Sequence, residues 1–397
     1  MPSLLMVAPA PVIEVSRNRV VLDVKFLEGL KIHQDFWAGR LDCVLRKGAP
    51  NITFGREVDR AELQSGLFLL EPDCPLPGEM LRSYDIVFCS ADESLDLRVH
   101  DLLSGTDVKL VYSVEYTLEA RLRAARLDRS RSLPRKIYSG LWILRQERLR
   151  KQAFRHAHGL QANGYPAYRA YAPLVASPMR YLDTRMKAGM FASAEEMHDR
   201  IARLRRGAPL RLINSGRLEP LKGAQDLVPV ADALRRGGLD FTLDIYGTGS
   251  LRDEIALDIP RRGLERRVFL HDPVDFETEL VPIGRTKADI FLSCHRQSDP
   301  SCTYLESMGC GLPVAGYRNR MLAGLLEAAD VGWAAPLGDV SALAGKILEL
   351  DGKRDEVARR AEQALAFSSA HDFHGEFKKR MEHLASLLAA SDRRPKQ

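Results

Sequence analysis

Two cations, Arg217 and Lys222, stand five residues apart in NSGRLEPLKG (214–223), directly after the apolar run LRLINSG (210–216). Paired bases on a turn that leaves a strand and starts a helix can clamp a diphosphate from two sides. The same pair can stabilise a leaving diphosphate as charge builds in a transition state. Gly216 lets the chain leave the strand. A second turn, YGTGSLRDEI (246–255), sets Gly247 and Gly249 after the strand FTLDIYG. Glycines close many turns of this kind, so it gains weight only beside the first. A third turn follows the apolar run ADIFLSCH (288–295), in SDPSCTYLESMGCGLP (298–313). Its pattern predicts a helix over 301–310, with Asp299 as N-cap, Pro300 at the first helical position and Gly311 as the stop. Free N–H groups at such a helix start face the carboxyl end of a parallel sheet, where α/β proteins hold phosphates and sugars. Glu306, two turns in, is placed to hold a hydroxyl pair such as that of a ribose. Each stretch has a plainer reading, as surface bases or as a capped core helix. Three such turns on one sheet edge are more specific than any one alone.

The elements that must carry these turns follow from the rest of the chain. Its 397 residues imply two domains, and 45% hydrophobic content is enough for two ordinary cores. Apolar runs at 3–9, 41–46, 66–72, 85–92, 108–114 and 159–163 read as strands. A second series reads likewise at 210–216, 241–247, 268–274, 288–295, 313–317 and 331–337. Helical patterns between them imply βαβ units, hence two parallel sheets of the α/β class. Asp23 caps a helix, VKFLEGLKIHQDFW, after a long loop that is polar at Arg17 and Asn18. The polar stretch 184–208 reads as the boundary. It divides an N-terminal domain, 1–190 together with the C-terminal helix 370–397, from a second domain, 205–369.

Several classes are excluded or disfavoured by composition. No apolar run reaches the roughly 18 residues of a membrane span. The start MPSLLMVAPAPVIEV lacks a charged n-region and reads as a first strand, not a signal peptide. Cys43, Cys74, Cys89, Cys294, Cys302 and Cys310 lack metal-like spacing and read as buried thiols of a reducing cytoplasm. The net charge of +5 is too small to argue for nucleic acid. Its distribution is uneven, however. Residues 121–155 hold twelve bases against Asp128 and Glu147, interleaved with Leu133, Ile137, Tyr138, Leu141, Trp142, Ile143 and Leu144. A basic amphipathic segment of this kind suits an anionic membrane surface. It equally suits a solvated helix pair whose apolar side is core.

The order GR-x4-KG, then YGTGSLRDEI, then ADIFLSC, then a helix ending LESMGCGLPV resembles the retaining glycosyltransferases of family 4, the group-1 type. The resemblance is strong over 208–350 and extends to the N-terminal half only by strand order. It implies the GT-B architecture, two Rossmann-like domains facing a cleft, with a C-terminal helix crossing back to the first. It implies that Arg217 and Lys222 bind the donor diphosphate and that Glu306 holds its ribose. Gly216, Gly247 and Gly249 then belong to the donor site. Ser301, Cys302 and Thr303 would contact phosphate and sugar through backbone amides, and the turn ending at Val274 would hold the base. Ser298 stands where the family has its first Glu. Asp299, one position on, either replaces it or only caps the helix. His295 and Arg296 precede it and would face the donor sugar. Where many members carry a His after the strand matching VKLVYSV, this chain has Glu115 and Tyr116. Glu115 would be a polar contact or a general base, or else a solvated loop acid. Arg17 and Lys25 stand where a Gly-Gly turn is usual, on the expected acceptor side.

The reading is a metal-independent transferase without a cofactor. It would move a sugar from a nucleotide-diphosphate donor, a UDP-sugar before a GDP-sugar, to an acceptor hydroxyl with retention. The acceptor would be a lipid-linked, glycolipid or polysaccharide precursor, met by a cytoplasmic protein peripheral to the inner face of the plasma membrane through 121–155. A sugar-nucleotide hydrolase or epimerase of the same fold, and a non-catalytic nucleotide-binding module, stay open.

Overall fold

The computed structural model describes residues 1–48, 50–52, 55–128, 131–298 and 300–389. The chain divides into two units. The first comprises Met1–Leu118, Leu133–Tyr181 and the tail from His374; the second comprises Glu119–Ser132 and Leu182–Phe373. The division therefore falls just ahead of the polar stretch 184–208. That stretch contains the helix Ala194–Arg205, started by a capping box between Ser193 and Glu196.

Strands of the first unit are β1 (Ser3–Val7), β2 (Val12–Glu14), β3 (Arg19–Asp23), β4 (Arg40–Arg46), β5 (Gly55–Asp59), β6 (Gly66–Leu70), β7 (Ile86–Ser90), β8 (Lys109–Val114), β9 (Gly159–Asn163) and β10 (Ser177–Tyr181). Seven of them form a parallel sheet in the order β10-β9-β8-β7-β1-β4-β6. Leu4 and Leu5 on β1, like Val44 and Leu45 on β4, point to opposite faces, and all four are fully buried. A sheet covered on both sides gives unbroken apolar runs in the sequence, which is why these strands were readable. The stretch after β1 departs from the loop expected of it. β2, β3 and β5 pair antiparallel into a small second sheet. Strands of three and five residues, half exposed, are too short to show a pattern. The helix Val24–Phe36 follows, and the Asp23 carboxylate accepts from the Phe26 amide at 3.2 Å as its N-cap.

The tail helix Phe373–Ala389 packs against the first unit, where Met381 and Leu384 share a core with Leu4 and Met6. His33 marks this seam. Its ring is buried, meets the Phe377 ring edge-on at 4.9 Å and lies 2.6 Å from the Gly29 carbonyl through Nδ1. Burial, reinforced by the charge of Arg380, pulls its pKa from 6.5 down to about 3. A ring kept neutral in the folded state contributes fully above pH 6.5, and that contribution is lost as pH falls from 6.5 towards 3. The loss runs at about 1.4 kcal/mol per pH unit within that window. His33→Leu should flatten the acid limb of stability between those values relative to the native chain. Urea midpoints at a series of pH values check this, and parallel limbs for both proteins contradict it.

The second unit carries six parallel strands, β11 (Leu210–Ser215), β12 (Phe241–Tyr246), β13 (Val268–His271), β14 (Ile290–Ser293), β15 (Val314–Tyr317) and β16 (Gly332–Ala335). Their order is β13-β12-β11-β14-β15-β16. The direction of winding reverses between β11 and β14, so a crevice opens at the carboxyl ends of those two strands. Arg200 is a buried staple beneath this sheet. Its guanidinium donates to the carbonyls of Ala288, Gly311, Gly284 and Arg285 at 2.7–3.0 Å.

The basic segment splits three ways. From Glu119, the helix Leu118–Leu127 goes with the second unit: Glu119 pairs with Arg320 at 2.6 Å, and Arg123 donates to the Arg296 carbonyl. The helix Leu133–His156 belongs to the first unit, and its two halves differ. Leu133, Tyr138 and Leu141 are 71%, 72% and 63% exposed, while Ile143, Glu147, Arg150 and Phe154 are buried. The solvated and the core readings each hold for one half. The cysteine reading also needs correcting. Cys74 is exposed and Cys302 half-buried, while the other four are buried; all six are free thiols.

Candidate functional site

The turns after β11, β12 and β14 meet at the switch point of the second unit. The amide of Gly216 donates to the Tyr246 carbonyl at 3.0 Å, and that of Leu218 to Thr248 at 2.8 Å. The Leu251 amide returns to the Leu218 carbonyl at 3.0 Å. A Cβ on Gly247 would overlap the Gly216 carbonyl, and one on Gly249 the backbone of Leu218. Both glycines have φ near 155° (154° and 156°), which L side chains rarely adopt. Gly223, in the left-handed region at φ 68°, lets the first turn pass against the Cys294 carbonyl. Beyond β14, the amides of Arg296 and Gln297 both donate to the Leu221 carbonyl at 3.1 Å. Main-chain hydrogen bonds therefore link all three turns. Arg217 on this seam is exposed and Lys222 half-buried. Glu219 lies between them. The Ser250 hydroxyl and amide donate to it at 2.6 and 2.9 Å and hold it below the usual carboxylate range.

Glu306 is 5% exposed, on the helix Thr303–Gly309. That helix begins two residues later than expected, with Cys302 at its N-cap position, and ends with Gly311 at φ 72°. Ser301 and Thr303 hydroxyls are 2.8 Å apart in the turn before it, and the Cys302 thiol donates to Asp183 at 3.2 Å. Asp299 lies outside the described residues. The Glu306 carboxylate accepts from Arg185 Nε at 2.7 Å, and the Arg185 guanidinium lies 3.7 Å from the centre of the Phe276 ring. Glu306, Phe276, Ser215 and Ser307 line a shallow hollow open to solvent, together with Ile213 and Phe291. Val274 is half-buried on the turn from β13 that leads to Phe276. The hollow has one carboxylate and a largely apolar wall, a composition suited to a hydroxylated ring with an aromatic attached.

Two residues do not sit as expected. His295 is buried, its ring against Tyr304 at 5.4 Å. Arg296 is engaged by Asp226 through two nitrogens, at 2.6–2.9 Å, instead of standing ready for a sugar.

In the first unit, Glu115 and Tyr116 leave the end of β8 on a supported turn. Asp92 accepts from their amides at 2.8 and 3.4 Å. Buried Arg150 reaches both sides, donating to the Tyr116 carbonyl at 2.6 Å and pairing with Asp92 at 3.2 Å. The Leu118 amide donates to Tyr171 Oη, which donates to buried Glu147. Sequence reasoning missed Asp92, Arg150 and Glu147 as supports because charge counting read the last two as surface. Arg17 is exposed at the turn of the β2–β3 hairpin, and Lys25 is exposed on the helix Val24–Phe36. They lie on different elements from the Glu115 turn. Among the described residues, no three His, Cys, Asp or Glu side chains converge as metal ligands would. None of the described helices is long and apolar enough to cross a membrane.

Residues 209–352, the segment holding all three turns, match the family model Glycosyl transferases group 1. Over 163 residues the chain is 32% identical to the amylovoran biosynthesis glycosyltransferase AmsK of Erwinia amylovora. That match spans 38% of each protein, so the likeness to this curated relative covers well under half its length. Solved structures match nearly the whole chain at low identity. Anabaena HepE in complex with UDP superposes with a TM-score of 0.62 at 16% identity, covering 98% of this chain and all of that one. Sucrose-phosphate synthase from Thermosynechococcus elongatus gives 0.67 at 15%, with the same coverage. The chain thus has the α/β GT-B fold of two Rossmann-like domains, and its residues 209–352 match the Glycosyl transferases group 1 model.

Proposed function

We propose that the protein is a retaining glycosyltransferase of family 4. It takes a sugar from a nucleotide-diphosphate donor, UDP-linked before GDP-linked, and passes it to an acceptor hydroxyl. The observation that carries this reading is the convergence of the three turns, which sets Arg217 and Lys222 on the same switch-point edge as Glu306 and its hollow. Glu306 would accept from the ribose hydroxyls, with the base against the Phe276 side. Arg217 and Lys222 would neutralise the diphosphate as the bond from sugar C1 to phosphate oxygen breaks. The acceptor oxygen forms the new bond to C1 on the same face, and its proton passes to the leaving phosphate. The two cations supply the positive charge, so no resident metal or cofactor is invoked. Asp299 is left with the sugar-facing role proposed from its place before the helix. Glu115 and Tyr116, on their braced turn, would contact the acceptor, with Arg17 and Lys25 as further contacts on the first unit. HepE is also known bound to UDP-glucose, which supports a UDP-sugar as the first donor to try. A screen of UDP- and GDP-sugars for nucleotide release tests the reading. Release from one donor, raised by a hydroxylated acceptor, is expected; no release from any donor overturns it.

The acceptor is proposed to be a polysaccharide or glycolipid precursor at a membrane face; the biosynthetic role in the name of AmsK, an amylovoran biosynthesis glycosyltransferase, supports the precursor part of this reading. The helix Leu133–His156 supplies the surface. Exposed Leu133, Ile137, Tyr138, Leu141, Trp142 and Leu144 stand among exposed Arg135, Arg145 and Arg148. Apolar side chains flanked by arginine suit an anionic headgroup layer. Leu141→Glu with Trp142→Glu should cut cosedimentation with phosphatidylglycerol vesicles by about tenfold or more. Equal binding by both proteins, or none by the native one, contradicts the membrane assignment.

A further inference from the structure

Arg185 belongs to none of the motifs, yet it touches the two groups that a nucleoside would use in the hollow. Its Nε donates to Glu306 Oε1 at 2.7 Å, and its guanidinium carbon lies over the Phe276 ring, 3.7 Å from the ring centre. The Glu306 side chain is only 6% exposed, so the folded chain must give that carboxylate a partner. The Arg185 side chain, by contrast, is 43% exposed and can swing away into solvent. A planar group stacked on an aromatic ring and hydrogen-bonded to a buried carboxylate has the outline of a nucleoside: ring on ring, donor on acceptor. The residues on either side of Arg185 are tied down independently of its side chain. Asp183 accepts from the Cys302 thiol, and the Met186 carbonyl accepts from the Phe373 amide at 2.9 Å. The side chain can therefore leave without the segment unravelling.

We infer that Arg185 is a built-in competitor of the donor nucleotide, satisfying Glu306 and covering Phe276 until the ribose and base displace it. The inference rests on the proposed role of Glu306. It gives Arg185 a positioning role in exchange: when the spent nucleotide departs, Arg185 returns to Glu306, so the buried carboxylate is never left bare. Release of the product nucleotide is eased and its affinity lowered. The ion pair and the cation–π contact are both lost on displacement, and together they are worth about tenfold in affinity.

The test is titration calorimetry of UDP and of 2′,3′-dideoxy-UDP into the native full chain, Arg185→Ala and Arg185→Lys. UDP should bind Arg185→Ala about tenfold more tightly than the native chain. The preference for UDP over the dideoxy analogue should widen as well, because no arginine returns to cover Glu306. Arg185→Lys keeps the charge and loses the flat stack, so it should fall between them; it also carries the test if the alanine variant does not fold. Binding of UDP that is unchanged or weaker in both variants overturns the inference while leaving the functional reading intact. Failure of every protein to bind either nucleotide overturns both. Binding seen only in the variants supports the competitor in its strongest form.

Discussion

Arg217→Ala combined with Lys222→Ala should abolish donor turnover, lowering kcat/KM by about a thousandfold or more while the chain stays folded. On the proposed reading each cation would supply a charge-assisted contact to the diphosphate, worth about 1.5–3 kcal/mol, so two together would account for two to four orders of magnitude. The loss should show in kcat as well as in KM, because the leaving diphosphate carries more charge in the transition state than in the bound donor. The fold should survive because main-chain hydrogen bonds through Leu218, Thr248 and Leu221 hold the turn. Arg217 is exposed, and the left-handed Gly223 sets the turn beside Lys222. Initial rates and a thermal melt, run side by side, check both halves. A double variant with normal turnover would remove the diphosphate clamp.

Arg200→Met should cost about 3–5 kcal/mol in the stability of the second unit, the scale of unpairing a buried charge network. Arg200 is 2% exposed and donates to four carbonyls. Two of them, Gly284 and Arg285, lie in the last turn of the helix Val281–Lys287, and Ala288 is its C-cap. The fourth, Gly311, closes the helix that carries Glu306. Burial lowers the arginine pKa to about 10, so it is still charged at neutral pH and meets the carbonyl dipoles as a cation. Methionine fills the volume but takes away the guanidinium donors from those carbonyls. Lysine should recover only part of the loss, since one ammonium cannot reproduce a fork with donors on several sides. A lowered urea midpoint is the readout. Because the Glu306 helix is one of the tied ends, nucleotide affinity should fall in step. A midpoint within experimental error of the native one would show that the network is dispensable.

The sheets were legible because parallel strands covered on both faces, such as LRLINSG and DIVFCSAD, leave unbroken apolar runs. The three turns were legible because Gly247, Gly249 and Gly223 occupy backbone shapes or close approaches that few other residues allow. What was not legible is long-range charge pairing. Arg185 lies 121 positions from Glu306 in a stretch that looks like a linker, and nothing local marks it as a partner. Arg200 sits on an amphipathic helix among other bases, and only its burial sets it apart. Arg150 and Glu147 share a helix with the exposed Tyr138 and Leu141, so the charge count over 121–155 averaged two environments. The hairpin β2–β3 was lost for a simpler reason: short, half-exposed strands carry no periodicity.

The most direct test of the account is a calorimetric comparison of UDP, UMP and uridine binding to the native chain. The account predicts that UDP binds about a hundredfold or more tightly than uridine, with UMP between them, because the diphosphate adds charge-assisted contacts to Arg217 and Lys222. UDP binding no tighter than uridine, or no binding by any of the three to folded protein, would contradict it.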